Sequence, residues 1–203
     1  MSRTISRLFD DYSDAKAAVH ELERIGVPHH DLSIVANNAH GDHDVSDVND
    51  HGDVTRGAST GAVLGGVGGL LAGLGLLAIP GLGPIVAAGW LASTAAGAAI
   101  GGVGGAATGS IVGALKNAGH SEDEANVYSE GVRRGGTLVS ARVPDGLVGE
   151  AEAALNSHRG VDAATRGADY RRSGWTRFDE TAAPYSEDEI ERERASYRRE
   201  TTY

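Results

Sequence analysis

The groups best suited to chemistry crowd one short stretch, AHGDHDVSDVNDHGD, where His40, His43 and His51 stand among Asp42, Asp44, Asp47, Asp50 and Asp53. Imidazole and carboxylate together can ligate Zn²⁺, Ni²⁺ or Ca²⁺. Their spacing fits no established site: a calcium loop needs glycine at its sixth position and a closing glutamate at its twelfth, and catalytic zinc draws its ligands from rigid elements. A solvated acidic linker is the plainer reading, which leaves these three histidines as weak metal candidates. His29 and His30 follow Pro28 in a turn and are expected to be exposed. Glu122, Asp123 and Glu124 read as the start of a helix, not as an acid/base pair. Arg133 and Arg134, just before Gly135 and Gly136, offer an anion contact or, more simply, cations closing a helix C-terminus. No nucleophile elbow, phosphate-binding loop or dinucleotide fingerprint occurs. The glycines of GLGLLAIPG and GGVGGAATG lie inside an apolar run, with no preceding strand and no acidic partner downstream. No catalytic residue, cofactor or enzymatic activity is therefore expected.

The chain of 203 residues has a formal charge of −10 and no cysteine. Thiolate chemistry and disulfides are excluded, and binding to nucleic acid is not expected without a clustered basic face. The N-terminus reaches acidic residues before any apolar run, unlike a signal peptide.

The elements that would position these groups follow from patterning. Residues 1–36 read as strand, helix and strand: TISRLF, then a helix capped by Ser13 with the stripe Ala15, Ala18, Val19, Leu22 and Ile25, then Leu32 to Ala36. Residues 37–56 form the Asp/His-rich loop. Ser121 and Glu124 have capping-box spacing and open a helix that Gly135 and Gly136 stop. Thr137–Val143 reads as a strand, Leu147–His158 as a helix and Val161–Thr165 as a last strand. With the apolar middle and the helix at Ser121 set aside, the order is β-α-β twice, that of the ferredoxin-like split βαβ sandwich, an α+β fold with two helices on one face of an antiparallel sheet. Residues 116–169 are its second half. Residues 170–203 form a charged extension, whose Ser186 and Glu189 again have capping-box spacing and whose helix has almost no apolar stripe.

Between the halves, Gly57–Leu115 contains no Asp, Glu, Lys, Arg or His. PGLGP, Pro80–Pro84, predicts a break between two apolar helices at 57–79 and 85–115. Gly57, Gly61, Gly65, Gly69 and Gly73 recur every fourth residue, as do Gly97, Gly101, Gly105, Gly109 and Gly113. Positions four apart drift only about 40° around a helix, so each series makes a glycine-lined groove. Glycine costs about 1 kcal/mol in a water-exposed helix, whereas in lipid small residues let backbones pack closely. The expectation is a glycine zipper: a helical hairpin packing in a bilayer or between copies of the chain. Residues 57–79 would extend roughly 34 Å as a helix, against a hydrocarbon core of about 30 Å. Arg56 and Lys116 would flank the hairpin as a weak positive-inside pair.

FDDYSDAKAAVHELERIGVPHHDLSIVAN and SEDEANVYSEGVRRGGTLVSARVPDGLVGEAEAALN resemble the two halves of the heat-induced general stress protein family, the general stress protein 17M-like domain, in whose bacterial members a glycine-rich insert often separates the halves. GWTRFDETAAPYSEDEIERERASYR resembles a recurrent extension of such proteins. The resemblance implies a bacterial stress protein and brings no active-site residues with it. Combined with the hairpin, it places the chain at the inner membrane, with its soluble domain in the cytoplasm and its zipper pairing helices or making homo-oligomers. The alternatives are a cytoplasmic sensor whose paired domains hold a small ligand, and a metal-dependent enzyme using the His/Asp loop.

Overall fold

The computed structural model describes residues 2–38, 75–79, 81–92, 94 and 111–200. Strand β1, Ser2–Phe9, turns Ile5 and Phe9 to one face and Ser6 and Leu8 to the other. Helix α1, Tyr12–Arg24, buries the expected stripe Ala15, Ala18, Val19 and Leu22. Its N-cap is Asp11, not Ser13, and no side chain caps it. Gly26, at φ 99°, lets the chain turn back. Strand β2, Leu32–Asn37, is buried along its whole length, as a strand covered on both faces must be.

The expected helical hairpin is overturned on both sides of its turn, whereas residues 90–92, 94 and 111–115 of its second arm are helical as expected. Gly75–Ile79 is strand β3 and Gly83–Gly89 is strand β4, paired antiparallel from Gly75 opposite Ala87 to Ile79 opposite Gly83. The turn falls where PGLGP places it, with Gly81 and Gly83 both at φ 77°. The elements it joins are strands because β2 presents a free edge. Along that edge β4 buries Ile85 and Ala87 on one face of the sheet and Val86 and Ala88 on the other. A strand buried on both faces and a buried helix carry the same apolar composition. The turn is also pinned within the fold: a Cβ on Gly81 would lie 2.9 Å from Glu180 Cα, and one on Gly83 would lie 2.9 Å from Pro184 Cβ. No helix among the described residues is long and apolar enough to cross a membrane. Of the zipper glycines, Gly57, Gly61, Gly65, Gly69, Gly73, Gly97, Gly101, Gly105 and Gly109 lie outside the described residues. Gly113 sits half-buried in helix α2, Ile111–Asn117.

Helix α3, Glu122–Arg133, opens with the complete capping box: Glu124 N–H donates to Ser121 Oγ at 3.2 Å, and Ser121 N–H to Glu124 Oε2 at 2.9 Å. Strand β5, Thr137–Pro144, and helix α4, Val148–Ser157, stand where the pattern puts them. The last expected strand, Val161–Thr165, is cut to a single bridge, with Leu8 and Val161 exchanging backbone hydrogen bonds at 2.8 and 2.9 Å. Asp162 ends it by capping helix α5, Ala163–Arg172, accepting from Thr165 N–H at 2.8 Å. Helix α6, Glu187–Glu200, follows the second capping sequence; Ser186 N–H donates to Glu189 Oε2 at 2.8 Å.

The molecule is thus α+β, around a five-stranded antiparallel sheet of order β1-β5-β2-β4-β3. Helices α1 and α4 pack on one face, over Ile5, Phe9, Ile34, Val139, Ala141 and Val143. The other face, which a two-helix sandwich would leave bare, is covered as well. There α2, α3, α5 and the C-terminal extension bury Leu8, Val35, Ile85, Leu138, Val127, Tyr128 and Phe178 together.

Candidate functional site

His40, His43 and His51, with their aspartates, lie outside the described residues. Among the described residues no cluster could hold a metal ion. His30 is exposed as expected, whereas His29 is half-buried with Nδ1 3.1 Å from Glu23 Oε1. Arg133 and Arg134 do end a helix, but they face inward. Glu130, one turn earlier, is fully buried and bonds Arg134 Nε at 2.7 Å, while Arg133 Nε lies 3.4 Å from its other oxygen. Arg134 also donates to Glu193 of α6 at 2.6 Å and stacks 4.2 Å above the Tyr170 ring of α5. Burial pushes the Arg134 pKa down, but the hydrogen bonds to Glu193 and Glu130 outweigh this and hold it above the usual arginine value.

Two further guanidiniums converge on this place. Arg166 of α5, 3% exposed, donates to Asp10 at 2.8 Å, and Arg194 of α6 donates to the Gly135 carbonyl at 2.7 Å. Arg134, Arg166, Arg194, Asp10 and Tyr170, with Leu8 and the backbone of Gly131 and Gly136, line a cavity of about 10 Å³. This is the low end of what one water-sized particle needs. The cavity cannot admit an organic substrate. The i, i+4 spacing of Glu130 and Arg134 was open to sequence reasoning. Asp10 and Arg166, separated by 156 positions, left no signal.

A second polar cluster lies on the same face of the sheet. Ser6 of β1 and Ser140 of β5 are register partners with hydroxyls 2.8 Å apart, and Ser6 Oγ lies 2.8 Å from His120 Nε2. His120 Nδ1 is 3.8 Å from Glu124 Oε2, and Tyr128 donates its hydroxyl proton to the Ser6 carbonyl at 2.8 Å. Serine, histidine and carboxylate stand in the order of a hydrolytic triad. However, Ser6 is 1% exposed and Ser140 fully buried, and the Glu124 carboxylate is engaged in capping α3. A nucleophile has to meet its substrate, so the cluster is a structural network that satisfies polar groups beneath α3.

Burial lowers the His120 pKa, with Glu124 opposing, and raises the Tyr128 pKa to about 12. Burial also pushes Glu124 up, but hydrogen bonds from Ser121 outweigh it and hold the carboxyl below the usual glutamate value. The sign for His120 is definite. In the unfolded chain its imidazole takes up a proton as pH falls through about 6.5, whereas in the fold it resists, so stability is lost on going acid of that value and is unaffected above it. His120→Gln should flatten that part of the stability profile, read as a smaller drop in urea midpoint between about pH 7.5 and about pH 5.5. An equal drop in the variant would show that other groups set the acid sensitivity.

Residues 4–80, running from β1 through β3, match the family model described as the heat induced stress protein YflT domain, the general stress family that the sequence resembles. The second resembling stretch, 121–156, lies beyond that match and completes the same sheet through β5. No curated protein and no solved structure matches the chain.

Proposed function

We propose, on a heat-induced stress protein domain over residues 4–80, a non-enzymatic general-stress protein whose ferredoxin-like sandwich carries two glycine-rich runs that join copies of the chain. The strand order supports the sandwich: Val161, β1, β5 and β2 are neighbours in the 4-1-3-2 sequence of a split βαβ sheet, with the terminal strand reduced to its bridge. The observation that carries the self-association is the pairing of β3 with β4. Gly75 stands opposite Ala87, so the start of β3 and the end of β4, from which the two glycine-rich runs continue in sequence, lie at the same end of the sheet. Each run keeps glycines at helical spacing, a pattern that lets backbones approach closely.

Insertion as a bilayer hairpin has lost its basis over Gly75–Ile79 and Gly83–Gly89, which belong to the sheet. The remainder of the first segment, 57–74, would extend only about 27 Å as a helix, short of a hydrocarbon core of about 30 Å. The sensor alternative needs an open sheet face between paired domains, and α2, α3 and α5 occupy that face.

Sedimentation velocity of the full chain tests the reading. The wild type should be oligomeric. Gly65→Leu combined with Gly101→Leu should lower the assembly size while leaving the unfolding free energy of the sheet domain within about 0.5 kcal/mol of wild type. An unchanged assembly size would refute zipper pairing. Carbonate-resistant pelleting with lipid vesicles would return the runs to the bilayer.

A further inference from the structure

We infer that the cavity between α3, α5 and α6 is a binding site for one halide-sized anion, such as chloride, which ties the C-terminal helix to the sheet domain. The inference is independent of the glycine-rich runs. Three elements each send one guanidinium to the cavity, Arg134 from α3, Arg166 from α5 and Arg194 from α6, whereas the lining holds a single carboxylate, Asp10. Asp10 accepts from Arg166, and Glu130 and Glu193 hold Arg134 through its Nε and Nη1. Arg194 spends one amino group on the Gly135 carbonyl, and its buried Nε meets no acceptor among the described residues. A charged donor buried without an acceptor is costly, by more than a neutral one. A water molecule would accept from it without answering its charge, whereas an anion supplies both an acceptor and the opposite charge.

Size favours the smallest anions. A cavity of about 10 Å³ is at the low end for one water-sized particle, so a monatomic halide, slightly larger than water, fits with a small outward shift of Arg194, whereas phosphate, sulfate and carboxylates need far more room. Arg194 is the adaptable member, since its side chain is only half-buried and belongs to the last element of the fold. Apart from this place, α6 docks through fully buried Ile190, against which Gly135 fits with no room for a Cβ, and through Glu193 on Arg134. An ion bound only when Arg194 closes over it must, by linkage, favour the docked helix.

The test uses the full chain in sodium chloride against sodium gluconate at equal ionic strength, reading the rate of tryptic cleavage within 186–200. Chloride at about ten times its Kd should slow cleavage about tenfold. Arg194→Gln should abolish the difference between the two salts, while Arg192→Gln, at an exposed position of the same helix, should retain it. If Arg194→Gln undocks the helix in both salts, the anomalous signal of bromide in wild-type crystals decides, and a peak among Arg134, Arg166 and Arg194 is expected. Cleavage insensitive to the anion in the wild type, a chloride response surviving in Arg194→Gln, or no bromide peak in the cavity would each overturn the assignment.

Discussion

Gly89→Ala should cost the protein more than about 3 kcal/mol and detach β3 and β4 from the sheet. Gly89 ends β4 at φ 87°, where a side chain is already strained. A Cβ there would lie 2.1 Å from the Leu32 carbonyl oxygen and 2.7 Å from Ser33 Cα. Both atoms are backbone of β2, so no rotamer change relieves the overlap. The Ser33–Gly89 pairing must open, and with it the bond from the Ser33 hydroxyl to the Ala88 carbonyl at 2.8 Å. Because β3 pairs only with β4 in the sheet order, both strands leave together. Urea unfolding should show a large fall in midpoint and a smaller m-value, since the altered native state already exposes Ile85 and Ala87. Gly149→Ala is the contrasting case. It lies in α4 with open space around it, and should be neutral or stabilising by about 0.5 kcal/mol. A Gly89→Ala variant as stable as wild type would mean that β4 does not hold the β2 edge as described.

Glu130→Gln is expected to destabilise by about 3 kcal/mol, because it removes one partner of a buried ion pair and strands the other. The carboxylate is fully buried, accepting from Arg134 and facing Arg133 at 3.4 Å, and a neutral amide cannot answer the charge of either. Replacing the pair together, Glu130→Met with Arg134→Met, should recover part of the loss, since the two Met side chains need no compensation there and only Arg133, which also stacks on Tyr185, is left without its carboxylate. Glu193 would then lose its arginine, but it is partly exposed and finds water instead. Thermal and urea unfolding of Glu130→Met, Arg134→Met and the double variant give the coupling directly. Additive losses would show that the two residues act separately and that the buried pair is not the organising contact of the α3 C-terminus.

Local signals led to local structure. The Ser121–Glu124 capping box, the apolar stripe of α1 and the stop at Gly135 each sit within one turn of the residues that cause them, and each was legible. Even the PGLGP turn was located. Its strands were mistaken for helices because Gly75–Gly89 has no polar alternation to reveal a period of two: β4 is covered on both faces, so polarity varies with neither period. What decided the matter was the unfilled edge of β2, some fifty residues earlier in the chain. The final strand failed for a different reason, since Asp162 caps a helix at the point where Val161 would have continued the ladder. The arginine cavity was illegible for a third. Its cations come from three helices, and the only hint, two adjacent arginines before a glycine pair, suited a solvent-facing helix end equally well.

The place of β5 in the sheet also dictates an order of events when the chain is made. The strand that joins β1 to β2 is encoded after all the other strands, so the first two have no common neighbour until residue 144 has left the ribosome. By then β3 and β4 have already emerged, with the edge of β2 to pair with but no β5 on the other side of β2. A newborn copy of this protein therefore passes through an interval in which β1 and β2 each wait with one edge open, and how long that interval lasts is set by translation speed.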